Sequence, residues 1–265
     1  MKKDILVVVD TAIRSTKQFF LLFRKGIILF LLVSCMFFHI DDSLAHQLIF
    51  SDGSNTTMEN ALYIPDPQIS WAMYGELENN VLFYKFEADQ RESLYASLVI
   101  PALDGLENFS PSLAIIAHQQ NIAMISSHTG EKNTDVPFAL PDGYQAIVFD
   151  YDGKPTDNVF YEPFTQVNYW ERQEIRSESM NPGTYYLAVF DTTENGKFTL
   201  AVGEVEDFSD ANFFDSFVRA WFETKIFFND YLTAVISIII VIIIFAGIGY
   251  GIFRIIRRII IKSKR

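Results

Sequence analysis

From residue 81 onward the chain is cut into short apolar or alternating segments. They read V-L-F-Y-K-F-E (81–87), L-Y-A-S-L-V-I (94–100), L-A-I-I-A (113–117), I-A-M-I (122–125), Y-Q-A-I-V-F (144–149), T-Y-Y-L-A-V-F (184–190) and K-F-T-L-A-V (197–202). Pro101, Asp104-Gly105, Pro141-Asp142-Gly143, Asp152-Gly153, Asn181-Pro182-Gly183 and Asn195-Gly196 separate them. Short strands rich in Tyr, Phe, Val and Ile, divided by turn residues, predict an all-β body: an antiparallel, jelly-roll-like β-sandwich. In 184–190 both alternating faces are partly apolar, which suits an inner strand. Asn195-Gly196 is a strong tight-turn dipeptide and predicts that 184–190 and 197–202 pair as a hairpin.

The period then changes. Phe213, Phe214, Phe217, Val218, Trp221, Phe222 and Lys225 recur at helical spacing, with Asp215, Arg219 and Glu223 opposite. Ser209 can cap the start. The pattern predicts a helix from about Asp210 to Asn229, lying in a membrane interface or packing under the sandwich. Trp221 and Tyr231 suit a headgroup belt. Residues 232–253 contain no charge and predict one membrane-crossing helix, since about 20 apolar residues span the hydrocarbon core. The Gly247 and Gly251 pair could bring two such spans together, although glycine is common in them. The tail R-I-I-R-R-I-I-I-K-S-K-R is basic and carries no acid, so the positive-inside bias puts it in the cytoplasm.

A second apolar run, 26–38, follows the basic residues Lys2, Lys3, Arg14, Lys17, Arg24 and Lys25 and leads to Ser43-Leu44-Ala45. As a helix it is too short to cross a bilayer, and small residues precede His46, so the first reading is a signal peptide cut at Ala45–His46. The long charged leader leaves an uncleaved anchor open. A lipidated Cys35 in L-V-S-C is a third variant, which the apolar residues after it fit poorly.

Charge sharpens this division. The chain has 33 acidic and 21 basic residues; 4 acids and 12 bases lie in 1–45 and 231–265, so the body keeps 29 and 9, a net of about −20. Such a body does not bind nucleic acid or anionic lipid unaided. The single cysteine, Cys35, falls in the leader, so the mature body has no disulfide, thiolate metal site or cysteine nucleophile. Asn55-Thr56-Thr57 and Asn108-Phe109-Ser110 are glycosylation triplets, which mark surface loops at best.

The stretch N-P-G-T-Y-Y-L-A-V-F-D…N-G-K-F-T-L-A-V-G (181–203) resembles the last two strands of the bacterial pre-peptidase C-terminal (PPC) domain. Upstream, Y-G-E-L-E-N-N-V-L-F-Y-K-F-E-A…E-S-L-Y-A-S-L (74–98) is similar to the family's opening, with Asn79-Asn80 where the family has aspartates. The resemblance spans about 74–204. It implies an accessory sandwich that binds carbohydrate or protein, or acts as a spacer, without catalysis.

Four sets of residues carry candidate chemistry. A histidine at a new N-terminus offers its amine and imidazole to copper, so His46, His118 and His128 form one candidate metal set, set against plain surface or turn histidines. Asp150, Asp152 and Asp157, around the Gly153 turn, form a candidate calcium set, set against a solvated loop with Asx-turns. Tyr161, Phe164, Tyr169 and Trp170 crowd one loop-like stretch and could stack on a sugar or anchor a partner; a long crossover pinned by its own aromatics is the blander reading. Acidic pairs such as Glu76/Glu78 come free in so acidic a body. No G-x-S-x-G, H-E-x-x-H or glycine-rich phosphate loop occurs, which points away from an enzyme.

The organisation expected is therefore a signal peptide (1–45), an N-terminal extension (46–73), a PPC-like sandwich (74–206), an amphipathic juxtamembrane helix (207–230), a transmembrane helix (231–253) and a basic cytoplasmic tail (254–265). The function expected is a non-catalytic, membrane-anchored binding or assembly module outside the cytoplasm, with a protein or carbohydrate partner. A copper-binding surface protein built on His46 is the alternative.

Overall fold

The computed structural model describes residues 47–122, 125, 135–151, 159–207 and 213–263. The leader, its apolar core and the Ala45–His46 junction lie outside them. Among the described residues period-2 alternation becomes eleven strands: β1 (Gln47–Phe50), β2 (Leu62–Tyr63), β3 (Trp71–Leu77), β4 (Val81–Ala88), β5 (Glu92–Pro101), β6 (Ser112–His118), β7 (Tyr144–Phe149), β8 (Val159–Glu162), β9 (Val167–Met180), β10 (Gly183–Phe190) and β11 (Gly196–Val202). They form a six-stranded sheet, β1-β3-β11-β5-β9-β8, and a five-stranded sheet, β2-β4-β10-β6-β7. Pairing is antiparallel except that β1 joins β3, and β2 joins β4, in parallel.

Every strand but β8 sends side chains between the sheets. From the five-stranded sheet come Leu82, Tyr84 and Phe86 of β4 and Tyr185, Leu187 and Val189 of β10; Leu98 and Ile100 of β5 and Phe198, Leu200 and Val202 of β11 meet them. Gly75 makes one approach close: a Cβ there would lie 2.5 Å from the Phe198 ring and 2.9 Å from the Tyr84 hydroxyl. The outer faces are apolar as well. Phe83, Ile116, Val148 and Phe190 are covered by Val136, Phe138 and Leu140, with the Phe83 and Phe138 rings edge to face at 4.9 Å. As its two-faced pattern requires, β10 sits in the middle of its sheet.

The expected hairpin does not form. β10 pairs with β4 and β6, whereas β11 pairs with β3 and β5 in the other sheet. Asp191 turns the chain after β10 by accepting from the backbone N–H groups of Thr193 and Glu194, at 2.8 and 3.0 Å. Asn195 then accepts from the Asn79 N–H at 2.7 Å, so the β3–β4 and β10–β11 connections are tied to each other. The turn dipeptide is present but serves a crossing between sheets.

Three other expectations are corrected. The apolar run at 122–125 is not a strand at its start, because Ile122 ends a single helical turn, α1 (Gln119–Ile122). The aromatic stretch at 160–170 is no loop: β8, a turn and β9 make a hairpin. Asn55 of the first glycosylation triplet is buried and donates to the Phe83 carbonyl at 2.9 Å, so it is a structural residue.

The helical period gives α2 (Phe213–Phe227), somewhat shorter than expected. Its last turns pack against the sandwich, while Val218, Phe222 and Ile226 stay exposed. Phe228, just past its end, packs with Ala72, Tyr74, Val99, Val167 and Tyr169 on the outer face of the six-stranded sheet. Asn229, with φ +60°, ends the helix in the left-handed region that asparagine tolerates. Asp230 begins the next by accepting from the Thr233 N–H at 3.3 Å. That next helix, α3 (Tyr231–Ser263), runs unbroken through the apolar stretch and the basic tail. It is the one helix among the described residues long and apolar enough to cross a membrane, and past Ala234 its described Ile, Val and Phe side chains are exposed.

Candidate functional site

On the outer face of the six-stranded sheet, beside α2, lies a cavity of about 240 Å³. The pairing register builds its floor. Val99 of β5 lies opposite Thr199 of β11, and Ser97 opposite Ala201, so these four side chains share one face. On β9 the register shifts between the pairs Leu98–Gln173 and Val99–Glu171, leaving Arg172 as an extra, bulged residue. The bulge lets Arg172 and Gln173 both turn inward while Glu171 stays on the outer face with Tyr169. Arg172 donates to the carbonyls of Phe109 (3.0 Å) and Glu107 (3.2 Å), and Gln173 to that of Pro111 (2.8 Å). Two buried polar groups thereby hold the β5–β6 connection in place.

The cavity's walls differ in character. At one end Arg176 lies over the Tyr95 ring at 4.4 Å and bonds Glu174 at 2.6 Å and Glu204 at 2.7 Å. Those bonds, to Glu204 first, keep its guanidinium firmly charged. Beside it the Ser97 hydroxyl donates to Glu171 at 3.1 Å. At the other end stand Phe160, Phe164 and Thr165. The Glu162 carboxylate fixes that end by accepting from the N–H groups of Phe164 (2.8 Å) and Thr165 (2.6 Å) and from the Thr165 hydroxyl.

Deeper lie the hydroxyls of Tyr169 and Thr199, on residues 2% and 4% exposed, close enough to interact with each other, with Tyr74 beside Tyr169. Burial pushes the Tyr169 phenol well above its usual range. It also lifts Tyr74, next to it, to about 12, against the pull of the Thr224 and Tyr169 hydroxyls.

α2 is clamped over this face. Lys225, 4% exposed, donates to the Gln166 carbonyl at 2.9 Å and lies 3.7 Å from the Asp230 carboxylate. Burial lowers its pKa, with Asp230 opposing. Trp221 donates to the Gln166 side chain at 3.3 Å, and Lys197 donates to the Phe227 carbonyl at 2.6 Å.

Of the aromatic set, Phe164 and Tyr169 line the cavity. Trp170 faces the opposite way into the core between the sheets, and Tyr161 is exposed on β8. Adjacent positions on a strand face opposite sides, so Tyr169 and Trp170 cannot serve one platform. His118 stands exposed at the end of β6, with the Tyr144 ring edge-on at 6.0 Å, while His46 and His128 lie outside the described residues. Asp150, also exposed, accepts from the Ser112 hydroxyl, and Asp152 and Asp157 lie outside the described residues. Among the described residues no three His, Cys, Asp or Glu side chains converge as a metal site. Sequence reasoning missed Ser97, Glu171, Arg176 and Thr199. The signal available was a polar residue inside an otherwise apolar strand, as in L-Y-A-S-L-V-I and F-T-L-A-V.

No family model and no curated protein matches the chain. Among solved structures it is similar to the pre-peptidase C-terminal domain of collagenase from Bacillus anthracis, at 14% identity over 53% of this chain and 91% of that one, with a TM-score of 0.25. A superposition that loose adds nothing to the strand pairing described above.

Proposed function

We propose that the chain is a membrane-tethered binding or assembly module. Its sandwich stands outside the cytoplasm and engages a protein or carbohydrate partner without catalysing a reaction. The observation that carries this reading is the junction at 228–230. A sandwich with a cavity on one outer face is clamped to α2, and α2 passes within three residues into an apolar helix whose described side chains past Ala234 are largely exposed. A cleaved leader before His46 and a basic end to α3 agree with one orientation, sandwich out and tail in. The motifs at 74–98 and 181–203 support a PPC-like accessory domain. Setting aside β1, β2 and β8, the strand orders β3-β11-β5-β9 and β4-β10-β6-β7 support a jelly roll. The acidic body favours a basic partner over nucleic acid.

Protease added to intact cells tests the orientation. The expected result is digestion of the sandwich with an epitope on the C-terminus protected; loss of the epitope with the sandwich intact would reverse it. Crosslinking from a photoreactive residue at Tyr161, followed by mass spectrometry, identifies the partner.

A further inference from the structure

We infer that α2 is wedged between the sandwich and a lipid bilayer, with Val218, Phe222 and Ile226 seated in the lipid interface. This deepens the tethered-module reading and rests on it. At 3.6 residues per turn, side chains four apart lie about 40° from each other round the axis, and side chains two apart about 200°. Ala220, Thr224 and Phe228 form one stripe, at most 6% exposed. It faces the six-stranded sheet: Ala220 borders the cavity, the Thr224 hydroxyl meets Tyr74, and Phe228 packs on Tyr74 and Tyr169. Val218, Phe222 and Ile226 form a second stripe on the opposite side, 39–45% exposed. Arg219 and Glu223 sit one residue further on, about 100° round, and bond each other at 2.7 Å. A helix between a protein and water needs only an apolar side and a charged side. α2 has a second apolar side, and among the described residues nothing closes over it.

The elbow after α2 says what does. The Asn229 N–H donates to the Ile226 carbonyl at 3.0 Å and the Asp230 N–H to that of Lys225 at 2.8 Å, with Asn229 left-handed at φ +60°. That pair of bonds is a Schellman closure, which sets the exit of the chain. Ala234, in the first turn of α3, is buried, so this turn is packed as well. Ile226, the end of the second stripe, therefore stands five residues before Tyr231, where α3 begins. Whatever surface α3 enters, α2 is held at that surface. Tyr231 and Leu232, both exposed, continue the apolar character into α3. A second copy of the chain would bring another body of about −20 to the same place, whereas a zwitterionic lipid brings no net charge. From Phe213 to Asp230 there are three acids and two bases, so the seat is apolar burial rather than attraction to anionic headgroups. The sheet stripe and the lipid stripe lie on opposite sides of α2. The six-stranded sheet accordingly faces the bilayer and the five-stranded sheet faces away.

The test uses the whole chain in phosphatidylcholine nanodiscs holding one copy each. Nitroxide labels are placed singly by Val218→Cys, Phe222→Cys, Ile226→Cys, Arg219→Cys and Ile240→Cys in a Cys35→Ser background. Their accessibility to oxygen, which partitions into lipid, is compared with that to a water-soluble nickel chelate. The expected result is at least threefold lower nickel accessibility at 218, 222 and 226 than at 219, with higher oxygen accessibility. Three positions are used so that one label that prevents folding, as judged by its melting curve, leaves two to read. Phe222→Asp should raise nickel accessibility at a label on 226 at least twofold and leave the melting temperature unchanged; a residue that served only internal packing would lower the melting temperature instead. The label at 240 reports the tethering separately. Nickel accessibility at 218, 222 and 226 equal to that at 219, with 240 shielded, would overturn the inference and leave the tethering standing. Shielding of the stripe only in discs that hold two copies would overturn it in favour of a second copy. A label at 240 open to nickel would remove the tethering, and the inference with it.

Discussion

The Lys225 ammonium donates to the Gln166 carbonyl at 2.9 Å, so a buried cation on α2 fastens that helix to the turn between β8 and β9. Gln166 presents this carbonyl from a left-handed conformation, φ +54°, set by the Glu162-capped turn before it. Lys225→Met keeps the aliphatic stem and deletes the charge. It leaves the Gln166 carbonyl unpaired and Asp230 without its cation, a loss of about 1 to 3 kcal/mol. We expect a lower melting temperature and faster amide exchange in α2, with the strands of the five-stranded sheet unchanged. Equal exchange in α2 for the two proteins would refute the clamp.

Tyr74 gives the pH dependence. Its folded pKa, about 12, lies above the ordinary 10.0 because burial disfavours the phenolate. A group raised on folding contributes stability that is complete below its unfolded pKa and is lost as pH climbs through the folded one. Stability should therefore hold to about pH 10 and fall by about 2 to 3 kcal/mol from Tyr74 alone by pH 12. Tyr169 adds to the fall in the same direction. Absorbance at 295 nm checks this: the buried tyrosines should ionise together with unfolding, after the exposed ones. Smooth ionisation of all 12 tyrosines with the far-UV spectrum intact would contradict it.

Arg172 is the bulged residue of β9, and its guanidinium serves the carbonyls of Phe109 and Glu107 from inside the sandwich. Arg172→Met retains bulk and removes both donors. The expected cost is about 1.5 to 3 kcal/mol, the range for hydrogen bonds from a charged group. Limited proteolysis should then cut between 103 and 111 before any other site in the sandwich.

The legible parts of the fold were those where one physical rule acted alone. β7 was bounded to the residue, because Y-Q-A-I-V-F sits between a Pro-Asp-Gly turn and an aspartate. β9 went unseen because its inward positions include Arg172 and Gln173, polar groups satisfied by carbonyls some 60 residues away that no local pattern reveals. The pairing of β10 failed for a related reason. Asn195-Gly196 specifies a turn but not whether the chain returns to its own sheet, and that depends on Asp191 and Asn79. Of the cavity only Phe164 and Tyr169 were singled out. The rest of it is assembled by register across the six strands of one sheet, which composition does not encode.

Two glycines test the packing. A Cβ at Gly75 would press on the Phe198 ring and the Tyr84 hydroxyl, and one at Gly203, where φ is +78°, would lie 2.1 Å from the Ile69 carbonyl oxygen. Gly75→Ala should cost about 1 to 3 kcal/mol, the usual penalty for overpacking a core. Gly203→Ala should cost more, because backbone cannot yield as a ring does. Chemical denaturation of the two variants would rank them, and the reverse order would show that the aromatic core is the stiffer of the two.

α3 is longer than a membrane crossing would need. Its 33 residues make a rod of about 50 Å, against about 30 Å of hydrocarbon in a bilayer. If its first turn stays docked to the sandwich at one surface, the surplus emerges at the other as several turns of rigid, basic helix. Arg254, Arg257 and Arg258 fall on one side of those turns, three and four residues apart. On the proposed tethering that end is a charged spur lying along the lipid phosphates, resisting rotation of the shaft and so fixing the compass bearing of the sandwich.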